Sequence, residues 1–87
     1  MKAPLPILRG DTFYIRRKVP ARYSAVESRS IIQISLHTDS PKIATRKAQD
    51  VWAELVESWE CKLEGNDAEA EARYEAAMTL AARFQTH

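Results

Sequence analysis

Strict alternation in two stretches most limits what this chain can fold into. Residues 12–19, Thr-Phe-Tyr-Ile-Arg-Arg-Lys-Val, turn mostly apolar side chains to one side and an aromatic ring with cations to the other. In residues 30–38, Ser-Ile-Ile-Gln-Ile-Ser-Leu-His-Thr, three apolar side chains share one side: Ile32, Ile34 and Leu36. A period of two residues is that of a β-strand, whose successive side chains point to opposite faces. The chain is therefore predicted to form a sheet with one apolar face.

A third, shorter strand is predicted at residues 5–9, just before the first alternating stretch. Gly10-Asp11 between the two favours a tight hairpin turn. Pro4 and Pro6 lack backbone donors and restrict pairing near the start of this strand. Because short links join the three strands in order, they are predicted to form an antiparallel meander.

After residue 38 the hydrophobic period changes to three and four residues, which is the period of a helix. Asp39-Ser40-Pro41 supplies a capping side chain and a first-turn proline. The helix is predicted to end at about Glu64, because Gly65 fits the left-handed position that follows a helix. Its apolar stripe, which we expect to cover the sheet, consists of Ala44, Ala48, Val51, Trp52, Leu55, Trp59 and Leu63.

A second, alanine-rich helix is predicted at about residues 67–84. Its stripe has few large side chains, so we expect it to dock weakly or to need another domain or a second copy of the chain. The members of this stripe are Ala70, Tyr74, Ala77, Ala81 and Phe84. The predicted fold class is α+β, a three-stranded antiparallel sheet packed against a long helix and followed by a second helix.

The charges are divided unevenly along the chain. Residues 1–47 contain ten basic residues against three acidic ones, and residues 48–87 contain three against nine, for a net charge of +1. Two halves of opposite sign indicate two surfaces with different tasks. Ordinary solvation of helices explains the acidic half. It explains the basic half less well, because basic residues also cluster within one strand.

Composition limits the functional class. The single cysteine, Cys61, allows no internal disulfide and fits a reducing compartment. No apolar run approaches the roughly 18 residues of a membrane span. His37 and His87 have no partners at metal-ligand spacing, and two glycines are too few for a phosphate loop. A cytoplasmic, non-catalytic protein without a metal or cofactor is predicted.

One face of the strand at residues 12–19 is suited to a polyanion. Tyr14, Arg16 and Lys18 lie about 6.5–7 Å apart as alternate residues of a strand, similar to the spacing of successive phosphates. A small sheet also fits the DNA major groove, which is about 12 Å wide. Two interpretations stay open: a DNA contact surface, or the solvated outer face of a half-buried sheet.

The neighbouring strand adds polar groups to this face if the registers align. These are Gln33, Ser35 and His37, of which glutamine can read adenine edges and serine can bind a base or a phosphate. In the first turns of the long helix, Arg46 and Lys47 oppose the helix dipole, together with Lys42. Phosphate contact would explain these cations, and ordinary solvated charge is the alternative.

Two further cations have ambiguous positions. The alternation turns Arg17 inward, so its side chain either passes the sheet edge or pairs with Glu54 or Glu57, unless a bulge turns it outward. Lys2 lies in an N-terminal arm, residues 1–4, that we expect to be loose. Such an arm enters a minor groove in some proteins, and a disordered terminus is the alternative.

Two runs resemble the start of phage-type tyrosine recombinases, the integrases. The first is Leu8 to Pro20, Leu-Arg-Gly-Asp-Thr-Phe-Tyr-Ile-Arg-Arg-Lys-Val-Pro. The second is Ile34-Ser35-Leu36-His37-Thr38, followed by a helix that contains Lys42, Ala44 and Arg46. The resemblance covers about residues 8–50, and the order and spacing of the pieces agree.

This resemblance implies an N-terminal domain that binds arm-type DNA sites through its sheet, placed in the major groove, and helps to regulate DNA integration and recombination. The matching positions are Tyr14, Arg16, Lys18, Ser35, His37 and Thr38. In this family the catalytic residues belong to a later domain, and nothing in this chain matches them. The chain is therefore expected to be a non-catalytic fragment or module.

These lines of reasoning predict that residues 1–65 form a DNA-binding domain and that residues 66–87 form a linker or interaction helix. The expected partner is double-stranded DNA, with a second copy or other integrase domains meeting the second helix. The alternatives are a protein-interaction module and an oligomerising scaffold without a nucleic-acid role. The predicted DNA-contacting residues are Arg9, Tyr14, Arg16, Lys18, Gln33, Ser35, His37, Thr38, Arg46 and Lys47.

Overall fold

The computed structural model describes residues 2–83 and has the predicted α+β architecture. Three strands precede two helices, and a single 3-10 turn at Ala21–Tyr23 follows the second strand. The elements are β1 (Ile7–Arg9), β2 (Thr12–Lys18), β3 (Ile31–Ser35), α1 (Pro41–Leu63) and α2 (Asp67–Ala82). Neither helix, over the part of the chain described, has the length and apolar composition needed to cross a membrane.

The local signals at the helix ends are confirmed. The Ser40 hydroxyl accepts a hydrogen bond from the Ile43 backbone N–H at 3.3 Å, which caps the start of α1. Gly65 has a φ of +81°, the left-handed conformation that ends a helix. The Asn66 side chain accepts from the Glu69 N–H and caps α2. The predicted end of the second helix at about residue 84 and the stripe residue Phe84 lie outside the described residues.

The three strands form one antiparallel sheet in the order β1-β2-β3. On the face opposite the helices, Tyr14 lies between Ile7 and Ser35. Two further pairs on this face are Arg16 with Gln33 and Lys18 with Ile31. The registers therefore align the polar groups of β2 and β3 as predicted.

The first strand is shorter than predicted, and the segment before it is not loose. β1 begins at Ile7 because Pro4 and Pro6 have no N–H to donate to the sheet. Pro4 is nevertheless buried, and Ala3 packs against the hydrophobic core. Ala3 and Pro4 therefore pack against the domain, and the expectation of a loose arm is wrong for these two residues. From here on, the arm denotes residues 2–5.

The third strand also ends early, because the chain bulges after it. The Leu36 N–H donates to the Phe13 carbonyl at 2.9 Å, but the Phe13 N–H donates to the carbonyl of Thr38 at 2.9 Å. The intervening residue His37 has a φ of 53°, a left-handed conformation that is uncommon for residues other than glycine. This bulge ends the regular strand at Ser35, and it leaves the Leu36 carbonyl without its ladder partner.

The core lies between the sheet and α1. The inner face of the sheet contributes Ile15, Ile32 and Leu36, each with no exposed surface. They belong to one cluster with the apolar stripe of α1, whose largest members are Trp52 and Trp59. Burial of each large side chain contributes about 1.5–3 kcal/mol. The predicted role of the stripe as the cover of the sheet is confirmed.

The second helix packs tightly against the first, which differs from our expectation. Ala70, Ala77 and Ala81 are almost fully buried, and the last two belong to the main core cluster. Their small side chains let the two helix backbones approach closely, so that the Ser58 hydroxyl donates to the Ala70 carbonyl at 2.7 Å. α2 therefore docks within this chain and does not depend on another domain or copy for its packing.

Lys47 is buried and joins three elements. Only 3% of its surface is exposed, and its Nζ donates to the carbonyl oxygens of Leu36 at 2.8 Å and Ala81 at 3.0 Å. The first oxygen is the one that the bulge leaves without its ladder partner. The second belongs to the last turn of α2, where carbonyls lack helical donors and favour a cation. Burial lowers the pKa of Lys47. The prediction that Lys47 contacts DNA is wrong, because its ammonium group is enclosed.

A polar cluster attaches the 3-10 turn to α1. The Arg22 guanidinium binds the Glu60 carboxylate through two hydrogen bonds, of 2.7 and 2.8 Å. The Tyr23 hydroxyl donates to the same carboxylate at 2.6 Å, and its ring stacks on Trp59 with centroids 5.0 Å apart. The hydrogen bonds from Arg22 and Tyr23 lower the pKa of Glu60 to about 2. These groups hold the connection between β2 and β3 against the helix.

A second carboxylate fixes the rest of this connection. Glu27 accepts two hydrogen bonds from the Arg29 guanidinium at 3.0 Å each, and Trp59 Nε1 donates to it at 3.2 Å. The hydrogen bond from Arg29 is the main reason that the pKa of Glu27 falls to about 2.

Replacement of Lys47 by methionine is expected to destabilise the domain by about 2 kcal/mol, because two buried carbonyls lose their donor while the apolar stem is kept. Urea unfolding followed by circular dichroism measures the change. The control is Lys42→Met, an exposed position on the same helix, which should change stability by less than about 0.5 kcal/mol. Equal stabilities of the two variants would contradict the role given to Lys47.

Acid should weaken the domain through Glu27 and Glu60. Both folded pKa values lie near 2, below the value of about 4.3 for an unfolded glutamate. Their contribution is therefore complete above about pH 4.3 and is lost as the pH falls towards 2. Thermal unfolding across this interval should show a steeper loss for the wild type than for Glu60→Gln. Parallel pH profiles would show that the Glu60 cluster does not contribute.

Candidate nucleic-acid interface

The face of the sheet opposite the helices is open and carries most of the predicted contact residues. We call it the outer face, and it comprises Arg9, Tyr14, Arg16, Lys18, Gln33 and Ser35 together with Ile7 and Ile31. Arg9, Arg16, Lys18 and Gln33 are exposed, whereas Tyr14 and Ser35 are half-buried. No helix in residues 2–83 covers this face, because α1 and α2 both pack on the opposite side. The sequence therefore predicted correctly which side chains of β2 and β3 point outward.

The cations of the outer face are not neutralised by carboxylates. The ion pairs among residues 2–83 are Arg22–Glu60, Arg29–Glu27, Arg73–Glu54 and Arg73–Glu69. Arg9, Arg16 and Lys18 take part in none of them. An anion that approaches this face therefore meets three cations without first having to break an internal ion pair.

One hydrogen bond crosses the outer face. Arg9 Nη1 donates to Gln33 Oε1 at 3.4 Å, so the arginine of β1 reaches over the middle strand to β3. The contact occupies the oxygen of the amide and leaves its NH₂ group free to donate. Gln33 thus presents a donor beside Arg16, which is its direct neighbour on β2.

The two ends of the sheet differ in charge. Arg16 and Lys18 lie towards the end of β2. At the opposite end, Asp11 and Asp39 line a shallow pocket of about 370 Å³ together with His37, Lys47 and Arg83. Carboxylates oppose the approach of a phosphate, and they accompany the cations at that end, whereas no carboxylate of residues 2–83 pairs with Arg16 or Lys18. The end of β2 is therefore the more favourable side for a polyanion.

Two predicted contact residues, His37 and Thr38, leave the plane of the sheet at the bulge. The His37 N–H donates to the Ser35 hydroxyl at 3.2 Å, and the histidine side chain is exposed. Thr38 is half-buried, and its hydroxyl accepts from the Ser40 N–H at 3.1 Å. Thr38 therefore shapes the turn into α1, and the structure does not bring it onto the outer face.

The predicted cations of α1 do not join this surface either. Arg46 is exposed, but α1 lies on the inner side of the sheet, so this side chain belongs to a different layer from the outer face. Lys47 is buried, as described above. The helix start therefore adds no cation that is contiguous with Arg16 and Lys18.

Arg17 stays on the inner side of the sheet, as the alternation predicts, and it is half-buried there. Its pairing with Ile32 continues the regular register, so no bulge turns it outward. It makes no ion pair with Glu54 or Glu57. Its guanidinium carbon instead lies 5.4 Å from the ring centroid of Trp52, a cation–π contact at the edge of the core. The inward alternation of Arg17 was a signal for this contact, and the tryptophans of the helix stripe were its available partners.

The described residues do not form a cluster of metal-ligating side chains. Within residues 2–83, no three histidine, cysteine, aspartate or glutamate side chains cluster in a way that could hold a metal ion. Cys61 is buried in α1, and burial raises the pKa of its thiol.

The fold and the outer face define a small α+β domain with an open, cationic sheet surface. Residues 6–62 match the family described as Domain of unknown function (DUF6538), and the chain belongs to this family. The matched region spans the three strands and nearly all of α1, whereas α2 lies beyond it. No curated protein and no solved structure matches the chain. The family description gives no function, so the resemblance to tyrosine recombinases stays a prediction.

Proposed function

We propose that this chain binds double-stranded DNA through the outer face of its sheet, as a non-catalytic N-terminal domain of a phage-type tyrosine recombinase. The observation that carries the proposal is the outer face itself. Arg9, Arg16 and Lys18 lie there without carboxylate partners, beside hydrogen-bonding side chains and under no helix.

The dimensions of the sheet support binding in the major groove. Three strands at about 4.8 Å spacing are about 10 Å wide, and the groove is about 12 Å wide. Alternate residues of β2 lie about 6.8 Å apart, so Arg16 and Lys18 can reach successive phosphates of one strand. Arginine is also suited to guanine, and the free NH₂ group of Gln33 is suited to acceptors at base edges.

The recombination context is supported by the resemblance of residues 8–50 to the integrase N-terminus, which combines the arginine pair and the strand that ends in Ser-Leu-His-Thr. In such a protein this domain would hold arm-type sites while a separate domain cuts and rejoins DNA. A cytoplasmic location belongs to the same proposal.

The alternative is a protein-interaction module, and the packing of α2 counts against it. Its predicted contact stripe is occupied within the chain, since Ala70, Ala77 and Ala81 are buried against α1. Among the stripe members within residues 67–83, Tyr74 is the large side chain that stays accessible, at 37%. By itself it is a small surface on which to bind a partner or a second copy.

DNA affinity should depend strongly on salt. If the outer face and its margins neutralise about three to five phosphates, the plot of log K against log salt should have a slope of about −3 to −4.5. Fluorescence anisotropy with a short mixed-sequence duplex gives this slope for the 87-residue chain. Absence of binding at low salt would refute the proposal.

The double substitution Arg16→Ala with Lys18→Ala should make the slope shallower by about 2, because two phosphate contacts are lost. The matched control is Arg46→Ala with Lys62→Ala, which removes two exposed cations from α1 and should leave the slope unchanged. If the control pair changed the slope and the strand pair did not, the DNA surface would lie on the helix.

A further inference from the structure

Arg17 is a half-buried cation whose hydrogen-bonding capacity is unused. Its guanidinium lies over the Trp52 ring, and no hydrogen bond or ion pair to it occurs within residues 2–83. A guanidinium has five N–H donors that point outward in its own plane. The contact with the ring supplies no conventional hydrogen-bond acceptor, so these donors stay available for an anion. Such donors favour an oxygen-rich anion over the continued hydration of a partly buried cation.

These donors adjoin a groove beside the sheet. The groove has a volume of about 650 Å³ and is lined by the arm (residues 2–5), by Arg16 and Arg17 of β2, and by Thr45 and Gln49 of α1. We call it the arm groove. It brings together three cations, since Lys2 belongs to the arm, and no carboxylate of residues 2–83 lines it. The Gln49 amide adds a neutral donor.

A second groove on the other side of Arg17 is less suited to an anion. It has a volume of about 720 Å³, and it includes Lys18 and Arg29 but also the Glu27 carboxylate. Arg29 already binds Glu27 through two hydrogen bonds, so its charge is committed. The arm groove therefore offers the more positive and less occupied surroundings for the Arg17 donors.

The arm groove is continuous with the outer face through Arg16, which lies on that face and also lines the groove. The arm precedes β1 and runs along β2 past the point where β1 begins, so the groove opens at the margin of the sheet. A duplex that lay on the outer face would bring its sugar-phosphate backbone to this margin.

We propose that the arm groove binds one phosphodiester group of the DNA duplex, with Arg17 as the principal donor and Lys2 and Gln49 as its partners. This inference rests on the proposed function, because the phosphodiester belongs to the DNA held on the outer face. It assigns the cation–π contact with Trp52 a second role. The contact restricts the side chain of Arg17, so that less conformational entropy is lost when the phosphate binds.

The test is the salt dependence of binding by Arg17→Met, measured with the 87-residue chain and a short mixed-sequence duplex. Methionine keeps an unbranched, aromatic-compatible side chain over Trp52 but removes the charge and the donors. We expect the slope of log K against log salt to become shallower by about 0.9, and the affinity at low salt to fall about fivefold. A purely structural role of Arg17 would leave the slope unchanged.

The matched control is Lys62→Met, which removes one exposed cation about 25 Å further along α1 than Thr45. It should bind as the wild type does. Lys2→Gln serves as the second variant, because an exposed residue of the arm can be changed without disturbing the core. We expect it to weaken low-salt binding about twofold to threefold and to reduce the slope. It decides the question if Arg17→Met does not fold.

The outcomes separate this inference from the proposed function. Arg17→Met and Lys2→Gln could keep the wild-type slope while Arg16→Ala with Lys18→Ala makes the slope shallower. In that case the arm groove does not bind phosphate, and DNA binding by the sheet stands. If the wild-type chain does not bind the duplex at low salt, both proposals fail. A shallower slope for the groove variants, with Lys62→Met unchanged, supports the phosphodiester site.

Discussion

The arrangement of the domain depends on one buried ammonium group. The bulge after β3 turns the Phe13 N–H away from the Leu36 carbonyl, and Lys47 supplies the missing donor at 2.8 Å. The same group donates to the carbonyl of Ala81 at the end of α2, so a single side chain joins the sheet and both helices. Because a carbonyl left without a donor in the interior is costly, the bulge and the position of α2 depend on each other through Lys47. Together with the apolar core, this contact holds both helices on one side of the sheet, and no helix of residues 2–83 covers the other side.

The sequence contained much of this fold. Period-two alternation predicted which side chains of β2 and β3 face the core, and the caps at Ser40 and Gly65 predicted the limits of α1. A signal for Lys47 was also present, because position 47 lies three residues after Ala44 and four before Val51, on the buried side of the helix. The charge of Lys47 instead favoured contact with phosphate or ordinary solvation, which were the two predicted alternatives. A lysine at a stripe position is also consistent with burial against carbonyls that lack donors.

Other features depended on contacts that sequence does not reveal. The bulge at His37 has no glycine to mark it, and its left-handed backbone becomes evident only from the pairing of Phe13 with Thr38. Arg17 was expected either to pass the sheet edge or to pair with Glu54 or Glu57, unless a bulge turned it outward. The cation–π contact with Trp52 needs less desolvation than a buried ion pair, since the half-buried guanidinium can remain partly hydrated. A sequence pattern that places an arginine on the inner face next to a tryptophan stripe does not distinguish these two outcomes.

The net charge of +1 conceals how the charges are sorted. Glutamates bind Arg22, Arg29 and Arg73. These ion pairs lie where the β2–β3 connection and α2 meet α1, and they stabilise the fold. The outer face and the arm groove hold five cations without a carboxylate partner among residues 2–83, namely Lys2, Arg9, Arg16, Arg17 and Lys18. Lys42, Arg46 and Lys62 stay exposed on α1, and the unpaired carboxylates of α2 also lie on the helical side. Near a polyanion, a domain with positive charge on its sheet and negative charge on α2 would rotate before contact. Its sheet would then face the polyanion, and α2 would face away from it. Internal ion pairing therefore has a second effect besides stabilising the fold. The paired glutamates are not available to compete with an external anion for the cations of the sheet.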